Sequence, residues 1–257
     1  MPSPSGNVHD PDAIAEMSHA VLAVVNQHLP VKADPGDLED WGIVGPALIA
    51  KAADHLRSIT LLLPSSRETN ANILVRALYE TVVLFAWIAI EPPRLMGNWH
   101  KRTCLQARKA YADWEQAGIE IATPAELAAV DQYCSTKRKS LAPLPALAER
   151  VDQYWGARIP GFRADPDDPL SFRGFYRSIY RSGSRSAHTD GRSLRSFYTT
   201  TREGTTIHAE KASHDLLYFG LAPYLMGLGL AVAGRALGWP VYADVLRALG
   251  REDEVRI

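Results

Sequence analysis

Arg181 and His188 bring a permanent cation and a side chain that titrates near neutral pH into the run YRSIYRSGSRSAH, Tyr176 to His188. That pair suits phosphate chemistry: an imidazole moves a proton, and a guanidinium fork steadies charge building on phosphoryl oxygens. The neighbourhood is strongly cationic. Between Phe172 and Arg202 stand Arg173, Arg177, Arg181, Arg185, Arg192, Arg195 and Arg202, against the single acid Asp190. At about 100° per residue, a helix over 170–188 puts Phe172, Phe175, Tyr176, Ile179 and Ala187 on its core side. The arginines then recur every fourth residue on the opposite side, with His188 about 20° from Arg181. Arg181, Arg185 and His188 share that face, and Arg177, Arg185 and Arg192 are candidate phosphate contacts. A plain solvated helix face is the alternative. The exclusive use of arginine, without interleaved glutamate, favours an anion site.

Arg76 and Glu80 form a second constellation, four residues apart in a segment that is apolar almost all round from Ala77 to Ile90. Charges in such a setting must pair or answer another group. The expectation is a buried ion pair that fixes helix packing, with support of a catalytic face as the alternative. If the pair is buried, stranding one partner should cost about 3–5 kcal/mol. Tyr79 and Asn72 lie close enough to complete a polar network.

Other chemistries find no motif. His19, His28, His55 and His100 stand singly, outside any HExxH or paired-carboxylate spacing, and read as packing or surface residues. No GxSxG elbow, phosphate-binding glycine loop or dinucleotide fingerprint occurs, and SGSRS lacks a strand–turn–helix setting. Neither a metal nor a cofactor is expected. Cys104 and Cys134 have no partner motif and read as reduced thiols of a cytoplasmic protein. A formal charge of −1 and a pI near 6.7 argue against broad attraction to nucleic acid or membrane, so any anion site must be local.

The positioning elements are helical. Helices are predicted over about 11–29, 46–63, 94–117, 124–140, 144–156 and 170–188, then from about Lys211 and from about Pro240. A capping box at Ser65–Glu68 should open a further long helix that ends before Pro92. Threonine and aromatic alternation predicts one short hairpin at about 196–209. The sum is an all-α, multi-helix bundle: a flexible tail over 1–10, then one domain over 11–257 with the inserted β-hairpin. A chain with 46% hydrophobic residues can bury such a core. The uncharged run Leu216–Gly234 reaches the length of a membrane span. Pro223 and the glycines interrupt it, and TVVLFAWIAI (81–90) is too short for a companion, so a buried core helix and no stable membrane association are expected. Gly220, Gly227, Gly229 and Ala233 offer a small-residue surface for a symmetric homodimer.

ILVRALYETVVLFAW, with Arg76 and Glu80, followed about a hundred residues later by YRSIYRSGSRSAH, resembles a family of uncharacterised bacterial all-helical proteins. Their pattern is an Arg-x-x-x-Glu helix, then a Tyr/Ser-rich helix ending in histidine. That family is similar in turn to HEPN domains, helical bundles in which an arginine, four to six residues and a histidine form a metal-independent ribonuclease site across a homodimer. The resemblance spans roughly 46–234 and places Arg181, Ser182 and His188 on the motif. It implies an RNA-cleaving or RNA-binding protein of the toxin or defence type, with RNA and a second copy as partners and Arg76, Glu80 and Tyr79 supporting the site. A non-catalytic helical scaffold, or a binder of a phosphate or nucleotide ligand, is the alternative.

Overall fold

The computed structural model describes residues 10–31, 40–65, 68–119, 122–135, 141–159, 162, 168–180, 198–202, 204–207 and 216–251. Local signals account for most helix starts. In α1 (Pro11–His28), the Asp10 carboxylate accepts the Asp12 N–H at 3.0 Å, and Pro11 occupies a first-turn position that needs no amide donor. Asp40 caps α2 (Trp41–Leu62) in the same way, accepting from Gly42 N–H at 2.8 Å. The helix therefore starts ahead of the predicted Pro46, which lies inside it and forfeits one backbone hydrogen bond. The capping box falls partly on residues outside those described, and α3 (Glu68–Ile88) follows.

Next come α4 (Pro92–Gln116), α5 (Pro124–Cys134) and α6 (Leu144–Gly156). Of the predicted helix over 170–188, the described part is a short α-helical turn, α7 (Phe172–Phe175), that widens at once into a π-turn over Tyr176–Tyr180, and 181–188 lie outside the described residues. Two strands, β1 (Tyr198–Thr201) and β2 (Gly204–Ile207), pair antiparallel with Tyr198 opposite Ile207 and Thr201 opposite Gly204. Gly204 has φ +144°, a conformation that favours glycine. α8 (Leu217–Ala236) and α9 (Tyr242–Ala248) complete the described elements. The fold is all-α with one small hairpin.

α3 is the central strut. It packs on α2, α6, α8 and the π-turn, and Val75, Leu78, Tyr79, Val82, Val83, Phe85, Ala86 and Ile88 are sealed from solvent. The Trp155 indole of α6 donates to the Ala86 carbonyl at 2.9 Å, tying α6 to it. Among the described residues, one strip of α3 is left partly open: Ile73, Arg76, Ala77, Glu80 and Leu84, at helical spacing.

Two helices, Asn70–Ile88 and Phe219–Ala236, are long and apolar enough to cross a membrane by length and composition, so the later run does have a companion. They are 67% and 72% buried within the protein, as core helices are. The glycines of α8 serve this packing. A Cβ on Gly227 would come within 2.7 Å of the Leu249 side chain, and one on Gly229 within 3.0 Å of Val82. Gly220 and Ala233 are buried too, so the small-residue surface expected to receive a second copy is consumed inside the chain.

Candidate functional site

The segment Ser171–Tyr180 is fastened at its start by three independent contacts. Asp152, on α6 and 2% exposed, accepts the Phe172 and Arg173 N–H groups at 2.9 Å each. The Ser171 hydroxyl accepts Gly174 N–H at 2.9 Å, and the buried Tyr79 hydroxyl donates to the Phe172 carbonyl at 2.8 Å. These bonds satisfy backbone groups that a short buried helix start leaves orphaned. Burial pushes the Asp152 carboxyl up to about 6, against the opposing pull of the two backbone donors and of Arg173. Burial likewise raises the Tyr79 hydroxyl, with Asp152 adding to the effect, so it stays a neutral donor. Gly174 completes the fastening. A Cβ there would collide with the Asp168 carbonyl oxygen, so only glycine fits.

The far end of the segment meets the uncovered strip of α3. Arg76 Nε donates to Glu80 Oε1 at 3.1 Å, and Arg76 Nη2 donates to the Tyr180 hydroxyl at 2.9 Å. The same guanidinium lies 4.5 Å from the Tyr180 ring centre. Burial pulls the Arg76 cation down, but Glu80 and Tyr180 outweigh it and raise the net value. Burial lifts the Tyr180 hydroxyl and Glu80 adds to the lift, while Arg76 opposes it; Tyr180 remains a neutral phenol. Tyr176 stacks on Tyr180 with centroids 5.0 Å apart, and Tyr79 packs beneath both at 6.4 and 5.9 Å.

This network borders a groove of about 300 Å³. Leu48 and Lys51 of α2, Glu80 and Leu84 of α3, Trp99, Arg102, Thr103 and Gln106 of α4, and Leu144 and Leu147 of α6 line it together with Tyr180. The α4 residues recur at i, i+3, i+4 and i+7 and so share one helix face. Lys51 and Arg102 are exposed at the rim, and neither forms an ion pair among the described residues. The groove thus joins a leucine floor, an aromatic wall and two cations. It can hold a flat, partly apolar anion.

Arg76 and Glu80 do touch, as expected, but they are not inside the bundle: their side chains are 28% and 46% exposed. Ile73 and Leu84 flank them on the same strip, so hydrophobic periodicity hides the fact that this strip is open. Tyr79 supports the network through its ring, while its hydroxyl serves the Phe172 backbone. Arg173 is answered by Glu149 at 3.2 Å, and Arg177 is exposed. The π-turn changes the angular register after Phe175, so a constant α-helical wheel does not extend from Phe172 to His188. Arg181, Arg185, His188 and Arg192 lie outside the described residues. His28 stacks on Trp239 at 5.2 Å and His100 packs on Trp99 at 4.7 Å, as packing histidines do. Among the described residues no group of three or more His, Cys, Asp or Glu is placed to hold a metal ion. Sequence reasoning missed Lys51 and the α4 face. Trp99, Arg102, Thr103 and Gln106 carried a usable signal, an aromatic and three polar side chains at helical spacing.

Residues 43–205 match the model of a family of unknown function, DUF5677, a stretch that starts in α2 and takes in the groove, the π-turn and most of the hairpin. No curated protein and no solved structure matches the chain.

Proposed function

The chain belongs to the DUF5677 family, to which no function is assigned, and we propose from its own chemistry that it binds single-stranded RNA and cleaves it without a metal ion, as HEPN domains do. One observation carries the reading. The chain leaves the fastened Phe172–Tyr180 segment at Tyr180, beside Arg76 and the cationic groove, and the next residue is Arg181. A π-turn of this kind is frequent at functional sites.

In this reading His188 takes the proton of a ribose 2′-hydroxyl as its oxygen attacks the adjacent phosphorus. The new P–O2′ bond forms while the P–O5′ bond breaks, leaving a 2′,3′-cyclic phosphate, and the departing 5′ oxygen takes a proton from solvent. Arg181, with Arg185, stabilises charge on the phosphoryl oxygens. Arg177 and Arg192 hold neighbouring phosphates, and the Arg76–Glu80–Tyr180 network positions the start of the arginine segment. The reading carries a cytoplasmic, symmetric homodimer of the toxin or defence type, and its interface must lie away from Gly227 and Gly229, which are already packed.

The test compares wild type with His188→Ala on one labelled panel of single-stranded RNA, with and without EDTA. Cleavage by the wild type in EDTA, lost in His188→Ala with most binding retained, is the expected result. Binding without cleavage would favour the non-catalytic scaffold, and equal cleavage by both proteins would overturn the assignment of His188.

A further inference from the structure

We infer that the groove between α2, α3, α4 and α6 is a nucleotide subsite: it receives one unstacked base of the bound strand, and Lys51 and Arg102 hold the phosphate of that nucleotide. The inference rests on the RNA reading and specifies which part of the strand this surface takes. Its size, about 300 Å³, is at the small end of ligand pockets and suits a single flat group. Leu48, Leu84, Leu144 and Leu147 supply an apolar bed, which gains from burying a base face. Trp99, half-buried on the wall, supplies an aromatic surface, and bases stack on such surfaces with little regard to sequence.

The charges favour a nucleotide over a neutral ligand. Lys51 and Arg102 come from different helices and reach the same groove without a carboxylate partner among the described residues. The acid that also lines the groove, Glu80, is already matched by Arg76 at 3.1 Å. Gln106 adds an amide with both donor and acceptor capacity for a base edge. The Thr103 and Thr81 hydroxyls instead donate back to their own helix, to the Trp99 and Ala77 carbonyls. Discrimination among bases therefore rests on one side chain and should be weak.

Calorimetric titration of the full chain with adenosine 5′-monophosphate tests this, with adenosine and inorganic phosphate as separate arms. Saturable binding of the monophosphate, tighter than either fragment, is expected. Arg102→Ala and Lys51→Ala should each weaken it about tenfold, the loss of one charge-assisted contact. Leu84→Trp, which fills the bed, should abolish it. Because Lys51 and Arg102 are exposed, their removal leaves the core intact, and unchanged melting of those variants verifies it. RNA cleavage with no monophosphate binding would overturn the subsite and leave the RNA reading standing. Monophosphate binding that Arg102→Ala and Leu84→Trp leave untouched would also overturn it. Binding that follows these variants, in a protein that neither binds nor cleaves RNA, would support the groove as a nucleotide site and remove the RNA reading.

Discussion

Asp152 and Glu80 are two carboxylates set at opposite ends of the same short segment, and they differ in almost every physical respect. Asp152 is sealed from solvent and answers two backbone amides; Glu80 is 46% exposed and answers a mobile class of partner, an arginine side chain. The first fixes where Phe172 must lie. The second holds Arg76, which bonds Tyr180, at the edge of a groove that Glu80 and Tyr180 line. A buried carboxylate with a donor on each oxygen is a fastening, whereas a half-exposed pair beside cations that have no carboxylate partner among the described residues is a surface on which a ligand can act. On this account the molecule holds the segment rigid at one end so that the other end presents Tyr180 at a defined place.

That contrast breaks first at the fastened end. Gly174→Ala should give the largest loss, about 3 kcal/mol, because its Cβ would press on main-chain atoms of Asp168 and Pro169 that cannot turn aside. Denaturant unfolding reads this directly, and a wild-type midpoint would mean the approach is looser than described. Asp152→Ala should cost about 2–3 kcal/mol in the same assay by leaving the Phe172 and Arg173 amides without an acceptor.

Acidity sharpens the comparison. The folded Asp152 carboxyl titrates at about 6, against 3.8 for an ordinary aspartate, so the folded protein holds a proton that the unfolded chain has released. Its contribution to stability is therefore full below about pH 4 and is lost as the pH rises to about 6. Unfolding free energy should decline across that window in the wild type, and Asp152→Asn should lack this component of the slope. A wild type that instead gains stability through the same window, relative to Asp152→Asn, would mean that the two backbone donors outweigh burial. The smallest effect belongs to Glu80→Ala. As a half-exposed pair, Arg76–Glu80 should contribute no more than about 1 kcal/mol. A loss of 3 kcal/mol or more would return the pair to the buried role that its sequence setting implies.

The elements were legible because their signals are local. Asp10–Pro11 marks a helix start that the structure places there, and Thr/aromatic alternation marks the hairpin. Register and exposure were not legible, because both depend on neighbours distant in sequence. Nothing in the string from Ala77 to Ile90 says that the Glu80 strip of α3 is the side left uncovered by α2, α6 and α8. Nor does the spacing of Arg173 and Arg177 announce the π-turn, or that Asp152 and Tyr79 fix the backbone at Phe172, just ahead of it, from twenty and ninety-three residues away. The glycines of α8 are the reverse case: their small size does permit close approach, but the close neighbours are Leu249 and Val82 of the same chain.

The division of labour between the two ends is tested most directly by measuring the affinity of Arg76→Ala for one labelled single-stranded RNA, beside the wild type at the same salt concentration. The account predicts that affinity falls about tenfold, as a charge-assisted contact and the placement of Tyr180 are lost together, while thermal unfolding stays within a few degrees of wild type. Unchanged RNA affinity together with a markedly lowered melting temperature would contradict it, and would make the Arg76–Glu80–Tyr180 network a second fastening instead of a working surface.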